Sequence, residues 1–149
     1  MGHGVVEQIA IAGEFEELPA VVERVRAVAG KGLEGDRYFA PDGAITGEAI
    51  TLIAAEALEG LRADTGIELS HEASRRNVLT RGIDVHALIG RRFTLGEVLC
   101  EGIELCEPCN HLKQLTEDGI LRGLVHRGGL RADVLEGGTI AQGDALRVL

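Results

Sequence analysis

Alternation of apolar and polar side chains from Phe93 onward narrows the fold more than any other feature of this chain. Phe93 and Leu95, Val98 and Cys100, then Ile103 and Leu105 recur at every second position, with Gly96 and Gly102 as turn or bulge points. Leu130, Ala132 and Val134 repeat the pattern, Gly137-Gly138 turns the chain, and 145–149 reads as a closing strand. A period of two is that of a strand with one face in a core. Many short strands leave edges to protect, and closing the sheet removes them. The expected fold is mainly β, a closed or nearly closed β-barrel with a few peripheral short helices.

The first half of the chain fits that plan. Residues 5–12 and 21–28 are rich in β-branched and small apolar side chains and read as strands, while glycines 30, 32 and 35 mark 30–36 as an irregular loop. A strand at 44–53 runs into a helix at 54–64, where Ala54, Ala57, Leu58 and Leu61 share one face and Gly66 can stop the helix. A short helix at 70–74 precedes a strand at 77–80, and 109–115 and 119–126 have short-helix patterns. The 21 glycines against three prolines favour tight turns over flexible linkers. With no repeat or low-complexity run, the 149 residues are expected to form one domain over 1–149.

Charge excludes some function classes. Fifteen cationic and 24 acidic side chains leave a net charge of −9, which argues against broad binding to nucleic acid or an anionic membrane. Residues 1–13 contain Glu7 and lack the long apolar core of a signal peptide, and no apolar run approaches the roughly 20 residues of a membrane helix. A cytoplasmic location is expected. Three cysteines are an odd number, and in a reducing compartment they serve as core filler, metal ligands or nucleophiles.

Chemistry concentrates in four places. In Cys106-Glu107-Pro108-Cys109-Asn110-His111, the CxxC is half a zinc site, yet no second CxxC or HxxxH completes a tetrahedral cage. A thioredoxin-type pair would require a βαβ context that is missing. Pro108 suits the first turn of a helix, which would place Cys109 near a positive helix terminus where a thiolate is favoured. Cys100, on the apolar phase of its strand, reads as core. Arg75-Arg76-Asn77 is either a solvated face or an anion cradle, because the planar guanidinium fork matches phosphate oxygens. The loop at 30–36, followed by Arg37, offers backbone N–H groups and a charge, without a Walker or dinucleotide pattern. His126-Arg127-Gly128-Gly129 is a further cationic cluster or a simple turn. A thiol and scattered cationic loops suit a small anionic ligand with a soft atom.

These residues fall in a familiar order. Gly32-Leu33-Glu34-Gly35-Asp36-Arg37-Tyr38, Arg75-Arg76-Asn77-Val78, Glu107-Pro108-Cys109 with Leu112, Gly128-Gly129-Leu130-Arg131-Ala132, and Gly137-Gly138 with Gly143-Asp144 resemble the MOSC domain family. The family is named for the C-terminal domain of molybdenum cofactor sulfurases. The resemblance spans about 5–148 and implies a β-barrel that holds the molybdenum cofactor, a pterin with a phosphate and a dithiolene. By resemblance, Cys109 is the metal's thiolate ligand or a sulfur carrier, Arg75 and Asn77 hold the cofactor, and Arg37 assists. Arg76 would then face away from that cavity, as alternation in an extended segment requires.

The resemblance leaves three functions open. One is a molybdenum cofactor-binding or sulfur-carrier protein whose Cys109 is metal ligand or persulfide acceptor. Another is an oxidoreductase acting on N-hydroxylated compounds at the cofactor. It would need a separate reductase, since the chain lacks the extra N-terminal barrel of amidoxime-reducing relatives and any flavin or iron–sulfur motif. The third is a structural or zinc-binding domain. Pyridoxal phosphate, associated with the family, belongs to a separate desulfurase domain and is not expected of this chain alone; Lys31 is a poor Schiff-base candidate. Expected partners are a cofactor or sulfur donor protein and a reductase, with no nucleic acid and no membrane. Cys106, three residues before Cys109, is either a resolving thiol or a buried bystander.

Overall fold

The computed structural model describes residues 2–106 and 128–149. Its strands are β1 (His3–Ile11), β2 (Ala20–Val22), β3 (Arg24–Val28), β4 (Gly32–Leu33), β5 (Ile50–Ala54), β6 (Val78–Arg81), β7 (Arg92–Leu95), β8 (Val98–Leu105), β9 (Leu130–Glu136), β10 (Gly138–Ala141) and β11 (Ala145–Val148). Two helices, α1 (Ala55–Thr65) and α2 (His71–Ser74), lie between β5 and β6, and a 3-10 turn occupies Val85–Leu88.

Seven of the described strands close on themselves. The order is β11-β7-β8-β9-β5-β6-β1, and β1 pairs back to β11 through His3↔Arg147 and Val5↔Ala145. The fold is therefore a mainly β, closed barrel with two short helices. β2 adds to the outer half of β1, and β10-β3-β4 form a second small sheet. Within the barrel β5 and β6 run parallel, Leu52 opposite Val78. Parallel neighbours require a crossover, and α1 and α2 supply it.

Periodicity and bulges set the core. Phe93, Leu95, Val98, Cys100, Leu130, Ala132 and Val134 all pack inside the barrel, as their alternation predicts. Register shifts between Gly102 and Glu104, so Gly102 is a bulge point that ends the inward phase of Val98 and Cys100. A Cβ on Gly102 would stand 2.1 Å from the Leu88 carbonyl oxygen, so only glycine allows this approach. A second bulge between Val6 and Gln8 lets both Val6 and Ile9 face the core.

Local signals explain the helices. α1 ends where Gly66 takes a left-handed φ of 76° and its N–H donates to the Arg62 carbonyl at 2.8 Å. α2 starts at Ser70, whose hydroxyl accepts from the Ala73 N–H at 3.1 Å.

Four sequence expectations are revised. The strand expected over 21–28 is divided at Glu23, because the chain leaves β1's edge there and joins β10 instead. The strand expected over 44–53 begins at Ile50, since Gly43 and Gly47 have φ of 113° and 85° and hold a turn. The loop at 30–36 contains the short strand β4, opposite Ala27 and Val28. The 3-10 turn at Val85–Leu88 was not foreseen. The helices expected at 109–115 and 119–126 lie outside the described residues, apart from which the helix at 54–64 and the strand at 77–80 are each displaced by one residue.

Candidate functional site at the α2 to β6 junction

The site grows from the C-terminal end of α2. Arg75 caps that helix in a left-handed conformation, φ 63°, alone among the described non-glycine residues. Such a conformation costs a β-carbon-bearing residue about 1 kcal/mol or more, so something must hold it. Its guanidinium does: it donates to the Glu17 carbonyl at 2.9 Å and to the Phe15 carbonyl. The Arg75 carbonyl in turn accepts from Arg37 Nη2 at 3.0 Å.

Arg37 is set by its own loop. Its N–H donates to the Ala12 carbonyl at 2.7 Å, and its guanidinium pairs with Asp36 at 3.2 Å. Both of those side chains are buried, and Asp36 Oδ1 also accepts from the Ala12 N–H at 3.1 Å. The Arg37 guanidinium lies 5.0 Å from the Tyr38 ring, which meets Phe15 edge-on at 5.1 Å. The glycine loop thus docks Arg37 against the α2 terminus. Burial, and then the charge of Arg37, pull Arg75 below the ordinary arginine value.

Asn77 is held between strands. Its Oδ1 accepts from the Thr51 N–H at 3.0 Å and from Thr51 Oγ1 at 3.1 Å, and its Nδ2 donates to the Ala10 carbonyl at 3.3 Å. Arg37 and Arg75 are thus brought into contact, while the Asn77 side chain is engaged by Thr51 and Ala10. Cys109, with His126 and Arg127, lies outside the described residues.

Arg76 is buried beside Arg75 in the chain and takes a different set of partners. It and Arg75 are only 9% and 6% exposed, so the pair is no solvated face. Its Nε donates to the Gly128 carbonyl at 2.7 Å and Nη2 to the Cys106 carbonyl at 3.2 Å. It therefore meets the two residues that bracket 107–127. Its partners differ from those of Arg75, whose guanidinium reaches the Phe15 and Glu17 carbonyls, and the Cys109 cavity from which Arg76 is expected to turn away lies outside the described residues.

His71, passed over in the sequence, is 4% exposed, and neither ring nitrogen has a hydrogen-bond partner. Burial lowers its pKa below the usual 6.5, opposed more weakly by the nearby backbone of Arg76, which falls short of hydrogen-bond geometry, then by the charge of Glu72, the backbone of Asn77 and the charge of Glu7. A helix N-terminal histidine carries no sequence signal for such burial. Of the cysteines, Cys100 is fully buried in the barrel and its thiol is pushed up to about 12, first by burial and then by Asp133. Cys106 is also buried. Among the described residues no three His, Cys, Asp or Glu side chains converge as a metal site, and no helix is long and apolar enough to cross a membrane.

Known structures share this architecture at low identity. The YuaD protein from Bacillus subtilis superposes with a TM-score of 0.85 at 16% identity, over 98% of this chain and 95% of that one. YiiM from Geobacillus stearothermophilus gives 0.76 at 15% identity, covering 98% and 75%. YiiM from Escherichia coli gives 0.71 at 17% identity, covering 100% and 70%. A search of curated proteins finds no match. The MOSC domain family model matches residues 35–147, a span that includes Arg37, Arg75 and Asn77. This chain belongs to the MOSC domain family.

Proposed function

We propose that this chain binds the molybdenum cofactor or carries sulfur at Cys109, with Arg75, Asn77 and Arg37 holding the anionic end of the ligand. The observation that supports this reading is a pair of buried cations. Arg75 and Arg76 are both buried, and neither makes an ion pair with a carboxylate among the described residues; both rest on neutral carbonyls. In a chain of net charge −9, acidic partners are plentiful, yet none is used here. Buried charges are costly unless paired. A guanidinium on uncharged acceptors keeps its positive potential, which an anionic phosphate would offset.

The residues present therefore fit the group that the family implies. The cofactor would supply a metal held by its dithiolene, and Cys109 as thiolate would be the protein's ligand to it. The chain's own contribution would be positional. Asp36 and Arg37 dock the glycine loop, Arg75 fixes loop 13–19 and the helix end, and Asn77 joins β5 to β6 behind them. On this reading the partner is a protein that donates cofactor or sulfur.

Metal and pterin analysis tests the proposal. Protein made in a cofactor-competent host and purified anaerobically should carry about one molybdenum per chain, or a persulfide on Cys109, and Cys109→Ser should lose either one. Zinc in place of molybdenum, or wild-type protein with neither molybdenum nor persulfide, would overturn it.

A further inference from the structure

The ends of the segment 107–127 are tied together by one side chain. Arg76 Nε donates to the Gly128 carbonyl at 2.7 Å and Nη2 to the Cys106 carbonyl at 3.2 Å. Both accepting residues are buried. A third bond runs directly between the two ends, from the Cys106 N–H to the Gly129 carbonyl at 2.8 Å. That bond continues the β8–β9 ladder one step past Leu105↔Leu130.

The far end is pinned as well. Gly129 has φ 107°, and a Cβ there would stand 2.1 Å from the Leu52 carbonyl oxygen, so its backbone lies directly against β5. Arg76 immediately follows the helix cap and precedes Asn77, which is itself bound to Thr51 of β5. One rigid junction thus holds both places where 107–127 joins the barrel.

The chemistry of the donor matters. Nε–H and Nη2–H lie along one edge of a planar fork, and the two carbonyls they meet belong to chain segments far apart in sequence. A lysine ammonium keeps the charge but not this fixed pair of donors. We infer that Arg76 is a positioning residue: its guanidinium clasps residue 106 to residue 128 and thereby sets where the segment bearing Cys109 leaves and rejoins the barrel. The clasp stands on the described residues; its consequence for Cys109 rests on reading that thiol as the working one.

Two measurements on the cofactor-free full chain test it. In Arg76→Lys, exchange of the Cys106 amide hydrogen should quicken at least tenfold, and the pH profile of Cys109 alkylation should move, with Cys100 still unlabelled as proof of a folded barrel. An unchanged Cys106 amide, or an alkylation profile that superposes on wild type, would overturn the inference. Should the variant not fold, the wild type gives the answer by nuclear magnetic resonance. The Arg76 Nε–H, held by the buried Gly128 carbonyl, should exchange with solvent much more slowly than that of Arg81, bonded to the part-exposed Glu7. An Arg76 Nε–H that exchanges as fast as that of Arg81 overturns the inference equally. Failure of cofactor or persulfide loading with these results intact would discard the functional reading and keep the clasp.

Discussion

Asn77 and Thr51 are joined by three hydrogen bonds across the parallel β5–β6 pair. The Asn77 N–H donates to Thr51 Oγ1 at 3.0 Å, and Asn77 Oδ1 accepts from the Thr51 N–H at 3.0 Å and hydroxyl at 3.1 Å. Side chains thus extend the ladder one residue below Leu52↔Val78. A residue that the family resemblance marks as a ligand holder is, in this fold, also the pin between two barrel strands.

Removing that pin should cost measurable stability. Asn77→Ala leaves the Thr51 N–H without its acceptor, a loss of about 1–3 kcal/mol. Thr51→Val removes the hydroxyl from the same network. Because the two share partners, their effects should fall short of additivity by about 0.5 kcal/mol or more. Denaturant midpoints of the two single variants and the double variant check this, and strict additivity would show the residues to act independently.

Arg75 combines a strained backbone with a clamp, and the two can be separated. Asparagine tolerates the left-handed region, so Arg75→Asn keeps the helix cap and deletes the bonds to Phe15 and Glu17. We expect a loss of about 1.5–3 kcal/mol and faster proteolysis within 13–19. Arg75→Val should lose a further ~1–2 kcal/mol, because a β-branched residue adopts this conformation poorly. Equal midpoints for the two variants would mean that the cap conformation contributes nothing.

His71 gives the fold an acid limit. Its folded pKa is lowered by burial, with the backbone of Arg76, Glu72 on its own helix, the backbone of Asn77 and Glu7 on β1 opposing. The unfolded chain then binds a proton that the folded chain refuses. Stability is fully present above the ordinary value of 6.5 and declines as pH falls below it toward the folded pKa. The slope from this group can approach about 1.4 kcal/mol per pH unit in that window. His71→Phe should flatten the decline between neutral pH and the carboxylate range, as followed by thermal melts at stepped pH. A decline that persists unchanged would assign it to other groups.

The barrel was legible in the sequence because its signal is local. Phe93 to Cys100 and Leu130 to Val134 alternate inward and outward, and Gly66 stops α1 by a conformation that glycine adopts freely. Gly102 could be read as a bulge for the same reason. Closure of β1 on β11 is a contact between chain ends, so pattern could only make it expected by eliminating edges. The site was half legible. Arginine and asparagine near a glycine loop left a solvated face and an anion cradle both open, and burial of Arg75, Arg76 and His71 depends on which carbonyls and apolar surfaces tertiary packing brings to them.

Three thiols in one small chain should differ widely in reactivity. Cys100 points into the barrel between Phe93 and Val134, with no exposed surface and a thiol pushed up to about 12. It has almost no thiolate at neutral pH and no path to reagent. Cys106 is buried and its carbonyl is held by Arg76. Cys109 follows Pro108 in a segment bracketed by a buried, carboxylate-free guanidinium, a setting that favours thiolate if the two come close. Limited alkylation with peptide mapping should therefore label Cys109 first and Cys100 only on unfolding. Cys100→Ser should lower stability, because it puts a hydroxyl where the core offers no partner, by about 1–3 kcal/mol, without affecting molybdenum or persulfide content. Cys106→Ser separates the two chemistries proposed for Cys109. Retained loading would favour metal ligation, whereas loss of persulfide turnover would favour a relay in which the Cys106 thiolate attacks the Cys109 persulfide, forming a Cys106–Cys109 disulfide and releasing the outer sulfur as hydrosulfide. Labelling of Cys100 ahead of Cys109 in the folded protein would contradict both.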